Sequence, residues 1–345
     1  MKKFGKSNIE MLEIKDDFLR NNDSLLEKQL EYGQLYSNQK IRVNCKNCNH
    51  ILGESFDFIK QKIPYIICKN CTHLNGRYDD SSDYARSLYS DDKGKEYSKN
   101  YATIDIESYT KRSFTIYLPK VEFLLDSLNE QKFDIENIEL CDFGCGSGYF
   151  LYSLKDYNVG SICGLEVSEE QKDLGNKFLG KEMITTFDMS NSLEVIKDLK
   201  SNVISLIGVL EHLENPRDTL LQIKNNPNIK YLYISVPTFS FSTFLESFSQ
   251  DVFSRQLSGG HTHLYTEDSI KYFVSEYKFE ILSEWWFGTD ILDLYRHFIV
   301  TFEEFGYSQA LVGNFKTSFK PLIDNLQLEI DKQKKSSEVH LLLKV

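Results

Sequence analysis

A chain of 345 residues with 41% hydrophobic and 26% charged side chains is long enough to bury one large α/β core and a small accessory module. The formal net charge of −11 argues against nucleic acid as the main partner, because non-specific affinity for phosphates comes from cationic side chains that release counterions. The longest apolar run, VISLIGVL at 203–210, is far short of the roughly 18 residues needed to span a bilayer, and the start MKKFGKSNIEM lacks the apolar centre of a secretory signal; no membrane span and a cytoplasmic location are expected.

Residues 10–38 place Leu25, Leu26, Leu30 and Leu35 on a broad stripe among acids and lysines, which predicts an amphipathic helix inside an N-terminal helical segment 1–40. Such a stripe needs cover, from the module that follows or from a second copy of the chain in a homodimer. Next come two near-identical hexapeptides, CKNCNH at 45–50 and CKNCTH at 68–73. Cys45 with Cys48 and Cys68 with Cys71 form C-x2-C pairs separated by 19 residues, a spacing suited to a four-cysteine Zn²⁺ site made of two tight knuckles. With every position filled by protein sulfur, the site is structural, and a small module over 41–80 would draw much of its folding free energy from the metal. A redox dithiol pair or iron in the same cage fits the spacing as well. His50 and His73 read as surface histidines. The stretch 76–110, rich in Tyr, Asp and Ser, has no long apolar run; with the residues up to 135 it reads as a helical connector, 81–135, part of which forms a lid through tyrosines 78, 84, 89, 97, 101 and 109.

IELCDFGCGSGYF at 138–150 is an apolar strand, then glycines at 144, 146 and 148, then the start of a helix. Glycine serves where the backbone takes positive φ or meets a ligand closely, and the helix beyond offers free N–H groups. A dinucleotide fingerprint fails because position 149 is Tyr, and no Gly-Lys-Ser/Thr completes a P-loop. Apolar runs near 138–143, 160–167, 183–187, 203–210 and 231–236 alternate with amphipathic segments, the pattern of a parallel sheet covered by helices. Asp142, Gly144, Glu166, Asp188 and Glu211 fall at the carboxyl ends of those strands, where such sheets bind ligands. Cys141, Cys145 and Cys163 read as small buried hydrophobes.

The D-x-G-x-G-x-G of Asp142–Gly148, followed in order by Glu166, Asp188 with Met189, and Glu211-His212, resembles the class I S-adenosylmethionine-dependent methyltransferases. The resemblance covers about 136–288, with SSEVHLLLKV at 336–345 similar to the family's antiparallel last strand. It implies an α/β fold with a doubly wound, mostly parallel seven-stranded Rossmann-like sheet over 136–345, a small zinc-ribbon-like module before it, and helical insertions at about 238–265 and 289–335. It also implies that Asp142, Gly144, Gly146, Gly148, Glu166, Asp188, Met189 and Glu211 hold the methyl donor, with Glu166 on the ribose hydroxyls and Asp188 at the adenine edge.

Methyl transfer from a sulfonium is an in-line displacement that needs the acceptor placed and its proton removed, so a histidine is the residue to look for. GGHTHLYT at 259–266 supplies His261 and His263 and resembles part of the E-H-x-x-Y pattern of nucleotide-sugar C-methyltransferases, with Thr262 in place of the Glu. The cysteine pairs extend the likeness to zinc-ribbon methyltransferases of bacterial surface-polysaccharide gene sets. That likeness implies a sugar-containing or nucleotide-sugar acceptor, with His263 as general base and Tyr265 and His212 as alternates; the other readings are a non-catalytic scaffold that recruits partners through its zinc module, and a modifier of RNA or protein. In WWFGTDILDLYR, Trp285 and Trp286 point to opposite faces if extended, one into the core and the other toward the acceptor.

Overall fold

The structure is a computed structural model that describes residues 1–9, 12, 21–81, 84, 105–257 and 261–345. Tyr89, Tyr97 and Tyr101 of the expected lid lie outside these residues, as do most of residues 10–20.

Among the described residues, twelve strands form two sheets. They are β1 (Lys2–Phe4), β2 (Phe58–Lys60), β3 (Ile63–Ile67), β4 (Leu74–Gly76), β5 (Glu139–Phe143), β6 (Ser161–Glu166), β7 (Ile184–Thr186), β8 (Val203–Ile207), β9 (Tyr231–Pro237), β10 (His263–Leu264), β11 (Glu280–Phe287) and β12 (Glu338–Lys344). The large sheet runs β7-β6-β5-β8-β9-β12-β11-β1, with β12 alone antiparallel to its neighbours. Strand order reverses between β5 and β8, and the crevice at their carboxyl ends is where an open α/β sheet binds its ligand.

Eight strands rather than seven make up this sheet. The additional one is β1, whose Lys2 and Phe4 pair with Glu284 and Trp286. A three-residue strand that gains its partner only in the folded chain leaves no period-2 signal in the sequence.

Both faces of the sheet carry helices, as continuous apolar strands require. Leu118–Glu130 and Tyr149–Leu154 cover one face, packing Phe123, Leu124, Phe150 and Leu151 on Leu140, Tyr233 and Leu342. Ser192–Asp198, Pro216–Asn225 and Glu267–Glu276 cover the other, with Ile196, Ile223 and Phe273 on Ile204, Ile234 and Leu341. Trp285 joins the first core and Trp286 the second. The alternation of a strand thus holds, but both indoles are buried and neither walls a pocket: Trp285 donates to the Gly5 carbonyl and Trp286 to Glu284.

The smaller sheet, β10-β4-β3-β2, is antiparallel and belongs to the cysteine module, except that β10 comes from the segment following β9. Its core of Tyr36, Ile63, Tyr65, Leu74 and Tyr84 is completed by Leu257 and Leu264 of that same segment. The helix Asn22–Ser37 covers it with Gln29, Gly33 and Tyr36. Leu30 and Leu35 stay exposed, so the leucine stripe is not the packing face. Polar side chains won here because Gln29 both donates to the Leu257 carbonyl and accepts from the Ser254 N–H. Of the other cysteines, Cys141 is buried and Cys145 half-buried, whereas Cys163 is exposed on β6, contrary to the expectation for a small hydrophobe.

Candidate functional site

The chain leaves β5 into a turn that only glycine fits. Gly144, Gly146 and Gly148 have φ of 72°, 55° and 73°. A Cβ on Gly144 would lie 2.7 Å from Val209 Cγ2, and one on Gly148 would lie 2.8 Å from Ile184 Cδ1. Glu166, at the end of β6, is buried and ties this turn down: one carboxylate oxygen accepts from the Gly146 N–H at 2.7 Å, the other from Val167 and Ser168 at 2.9 and 3.0 Å. Burial raises its pKa, and the three N–H groups oppose the rise. Tyr109 closes the turn from outside, donating its hydroxyl to the Ser147 carbonyl at 2.6 Å while stacking on Tyr149 and Phe178. Asp188 stands exposed just past β7, capping its own turn through Ser190, with Met189 half-buried beside it.

Under the turn, Asp142 is buried and accepts from Ser205 Oγ at 2.6 Å; burial pushes its carboxyl up to about 7. A raised acid favours the fold fully below its unfolded pKa near 3.8 and loses that contribution as pH climbs through about 7. Asp142→Asn keeps the hydrogen bond without the charge. The variant is expected to gain stability over wild type between pH 5 and pH 8, by about 1–3 kcal/mol, in paired thermal melts at the two pH values. A difference that does not change with pH would show that Asp142 is not a raised buried acid.

Opposite the turn lies a second polar group. Glu211 and His212 form the 3₁₀ turn after β8. Glu211 is buried and pushed up to about 8 by that burial, its Oε1 lies 3.9 Å from His212 Nε2, and its Oε2 has no hydrogen-bond partner among the described residues. The His212 ring lies 5.1 Å from that of His261, whose Nδ1 is 3.0 Å from the Gln256 carbonyl. At the start of β12, Glu338 receives Lys120 at 3.2 Å and His340 Nε2 at 2.7 Å, and Tyr233 meets His340 Nδ1 at 2.7 Å. Burial pushes Glu338 up, but the Lys120 ammonium and the His340 hydrogen bond outweigh it and hold the carboxyl well below its usual range. Glu338, Lys120 and His340 were not foreseen. They come from a helix and a late strand, in no motif, and only the strand order brings them to the crevice.

His263 and Tyr265 lie elsewhere. Both are fully buried, His263 with its Nδ1 2.8 Å from His73 Nε2, and Tyr265 edge-on to the His73 ring. In this arrangement His263 has no solvent exposure and its Nδ1 is engaged by His73, so the expected general base is turned into the ribbon. His73 is correspondingly not a surface residue; burial lowers its pKa to about 3, and His263 is also held neutral by burial.

The duplicated hexapeptides fold alike. In each, the first cysteine's carbonyl accepts from the residue after the second (Asn49 at 2.9 Å, Thr72 at 2.8 Å), and its N–H donates to the histidine carbonyl. Asn49 and Thr72 take φ of 58° and 60° to turn the chain. All four sulfurs are buried, with Cys45–Cys71 at 3.7 Å and Cys48–Cys68 at 3.5 Å. Tetrahedral Zn–S bonds of about 2.3 Å place sulfurs about 3.8 Å apart, so the donor set fits Zn²⁺. Asn47 and Asn75 aim N–H groups at Cys71 and Cys45, as expected beside thiolates.

Strand order, glycine turn and the acid after β6 define a class I methyltransferase fold. The family described as a methyltransferase domain matches residues 109–284, just over half of the chain, and the chain belongs to it. It is a methyltransferase that uses S-adenosylmethionine. It is 22% identical over 214 residues to a tRNA U34 carboxymethyltransferase of Campylobacter lari, an alignment that takes in 60% of this chain and 63% of that protein. Among solved structures it is similar to a plantazolicin methyltransferase in complex with S-adenosylhomocysteine (22% identity, 75% of this chain and 93% of that one, TM-score 0.46). It is also similar to magnesium protoporphyrin IX methyltransferase from Synechocystis PCC 6803 (14% identity, 58% and 90%, TM-score 0.41). Among the described residues, no helix is long and apolar enough to cross a membrane.

Proposed function

We propose that the chain methylates a hydroxyl or amine of a small, sugar-containing acceptor such as a nucleotide sugar or polysaccharide precursor, with Zn²⁺ in the four-cysteine cage as a structural ion. S-adenosylmethionine supplies a methyl group already activated on a sulfonium. The residues supply position: Gly144, Gly146 and Gly148 let the donor lie against the backbone, with Asp142 bracing the turn from below. Glu166 takes the ribose hydroxyls, and Asp188 with Met189 flanks the adenine. Glu211, His212 and His261 hold the acceptor opposite, and the Glu211 carboxylate takes up its proton. In this reading His263 and Tyr265 form the joint between ribbon and crevice instead of serving as the base.

The observation that supports a small polar acceptor best is the composition of the crevice beyond the donor: Glu211 and Glu338 are acids, and the nearby cation Lys120 is already paired with Glu338. Such a lining suits the hydroxyls of a sugar, and any phosphate of the acceptor must lie away from it. RNA is the competing acceptor, favoured by the similarity to the tRNA-modifying relative. The test is transfer of labelled methyl from S-adenosylmethionine to a panel of sugars and nucleotide sugars beside bulk RNA. Label in the sugars supports the reading; label confined to RNA, with binding that weakens steeply in salt, would replace it.

A further inference from the structure

We propose that Glu211, His212 and His261 bind one divalent transition-metal ion at the acceptor end of the crevice, separate from the four-cysteine cage. This deepens the reading of that cluster as the acceptor site and rests on it. A carboxylate oxygen and one nitrogen from each imidazole lie within 4.8 Å of one another. Two imidazoles and a carboxylate form a donor set for Mn²⁺, Fe²⁺, Co²⁺ or Zn²⁺, and three protein ligands leave positions open for an acceptor oxygen or nitrogen. Metal–ligand bonds of about 2.1 Å bring neighbouring donors to roughly 3–3.5 Å, which rotation of these side chains supplies.

Two further observations point at the same spot. His261 Nδ1 lies 3.0 Å from the Gln256 carbonyl. A carbonyl only accepts, so Nδ1 carries the proton and the lone pair sits on Nε2, the arrangement in which a backbone oxygen orients a metal-binding imidazole. Glu211 is 3% exposed, and its Oε2 has no partner among the described residues. A buried carboxylate oxygen without a donor is costly, and a cation removes that cost. The support is rigid as well: the Glu211-His212 turn follows β8 directly, and Val209 between them packs against Gly144 of the donor turn.

The test uses the full chain with its ribbon zinc in place, titrated with Co²⁺ and followed by visible absorption and calorimetry, without an acceptor. One added equivalent with nitrogen/oxygen-type bands, weakened at least about tenfold in His261→Ala and in Glu211→Gln, is the expected result. S-adenosylhomocysteine binding by the His261→Ala variant and circular dichroism of both verify folding; His212→Gln serves if either fails. No saturable uptake by the wild-type chain, uptake unchanged in the variants, or cobalt that merely displaces zinc and shows thiolate charge-transfer bands would overturn the proposal. Failure here would leave labelled transfer to sugars, and so the acceptor reading, to be judged separately.

Discussion

Replacing Glu166 by glutamine is expected to weaken S-adenosylhomocysteine binding by about 10- to 100-fold, because glutamine loses one hydrogen bond to a charged acceptor, worth about 1.5–3 kcal/mol. The carboxylate serves twice. It accepts from Gly146, Val167 and Ser168, fixing the glycine turn to the end of β6, and in the proposed reading it also receives the ribose hydroxyls. Glutamine offers one acceptor oxygen and an amide that confronts the Gly146 N–H, donor against donor. Loss of binding is separable from loss of folding by sign. Burial raises the Glu166 carboxyl, so its contribution to the fold is full below its unfolded pKa and falls as pH rises through the folded one. The glutamine variant therefore avoids a charge that the protein without donor buries at a cost, and its melting temperature above neutral pH should stay near wild type while calorimetric affinity collapses. Affinity within about threefold of wild type would remove Glu166 from the donor site.

That residue was legible from sequence for the same reason that the glycines were: the requirement is on the backbone, local and tied to one strand end. The cysteine cage was legible because each knuckle is a self-contained hexapeptide. What escaped was assembly. A leucine stripe predicted the packing face of Asn22–Ser37, yet that face was set by Gln29 bonding to Ser254 and Leu257, more than two hundred residues away. His263 had the right chemistry and the right loop, but the pairing with β4 begins at His263 and takes it into the ribbon, whereas His261, ahead of that strand, stays beside His212. The Lys120–Glu338–His340 group carries no spacing signal, since its members meet only when β12 inserts between β9 and β11.

Cys68→Ser with Cys71→Ser, or exhaustive chelation, is expected to remove bound zinc and abolish methyl transfer while leaving S-adenosylhomocysteine affinity within a few-fold of wild type. The division follows from what each half touches. The donor turn is built from β5, β6 and β8, none of which pairs with the small sheet. The acceptor side is carried by the loop that becomes β10. That loop is held to the ribbon by the β4–β10 ladder, by Thr262 to Asp80 at 2.9 Å and by His73 to His263 at 2.8 Å, while Asp80 is gripped in turn by Arg42 and Lys46. A module with so small an apolar core depends on its metal, whose binding contributes about 10–16 kcal/mol in isolated zinc fingers. Without it, β4 no longer presents an edge, and His261, two residues before β10, loses its place opposite the donor. Burial keeps His73 and His263 neutral, so these two imidazoles do not titrate near pH 7; in the joint it is Lys46, pushed down to about 8 by burial, that does. Zinc content by mass spectrometry, calorimetry with S-adenosylhomocysteine and labelled transfer on the same sample decide it. Donor affinity that falls in step with transfer would mean that the cage supports the whole fold, and transfer that survives zinc loss would mean that the ribbon does not shape the acceptor site.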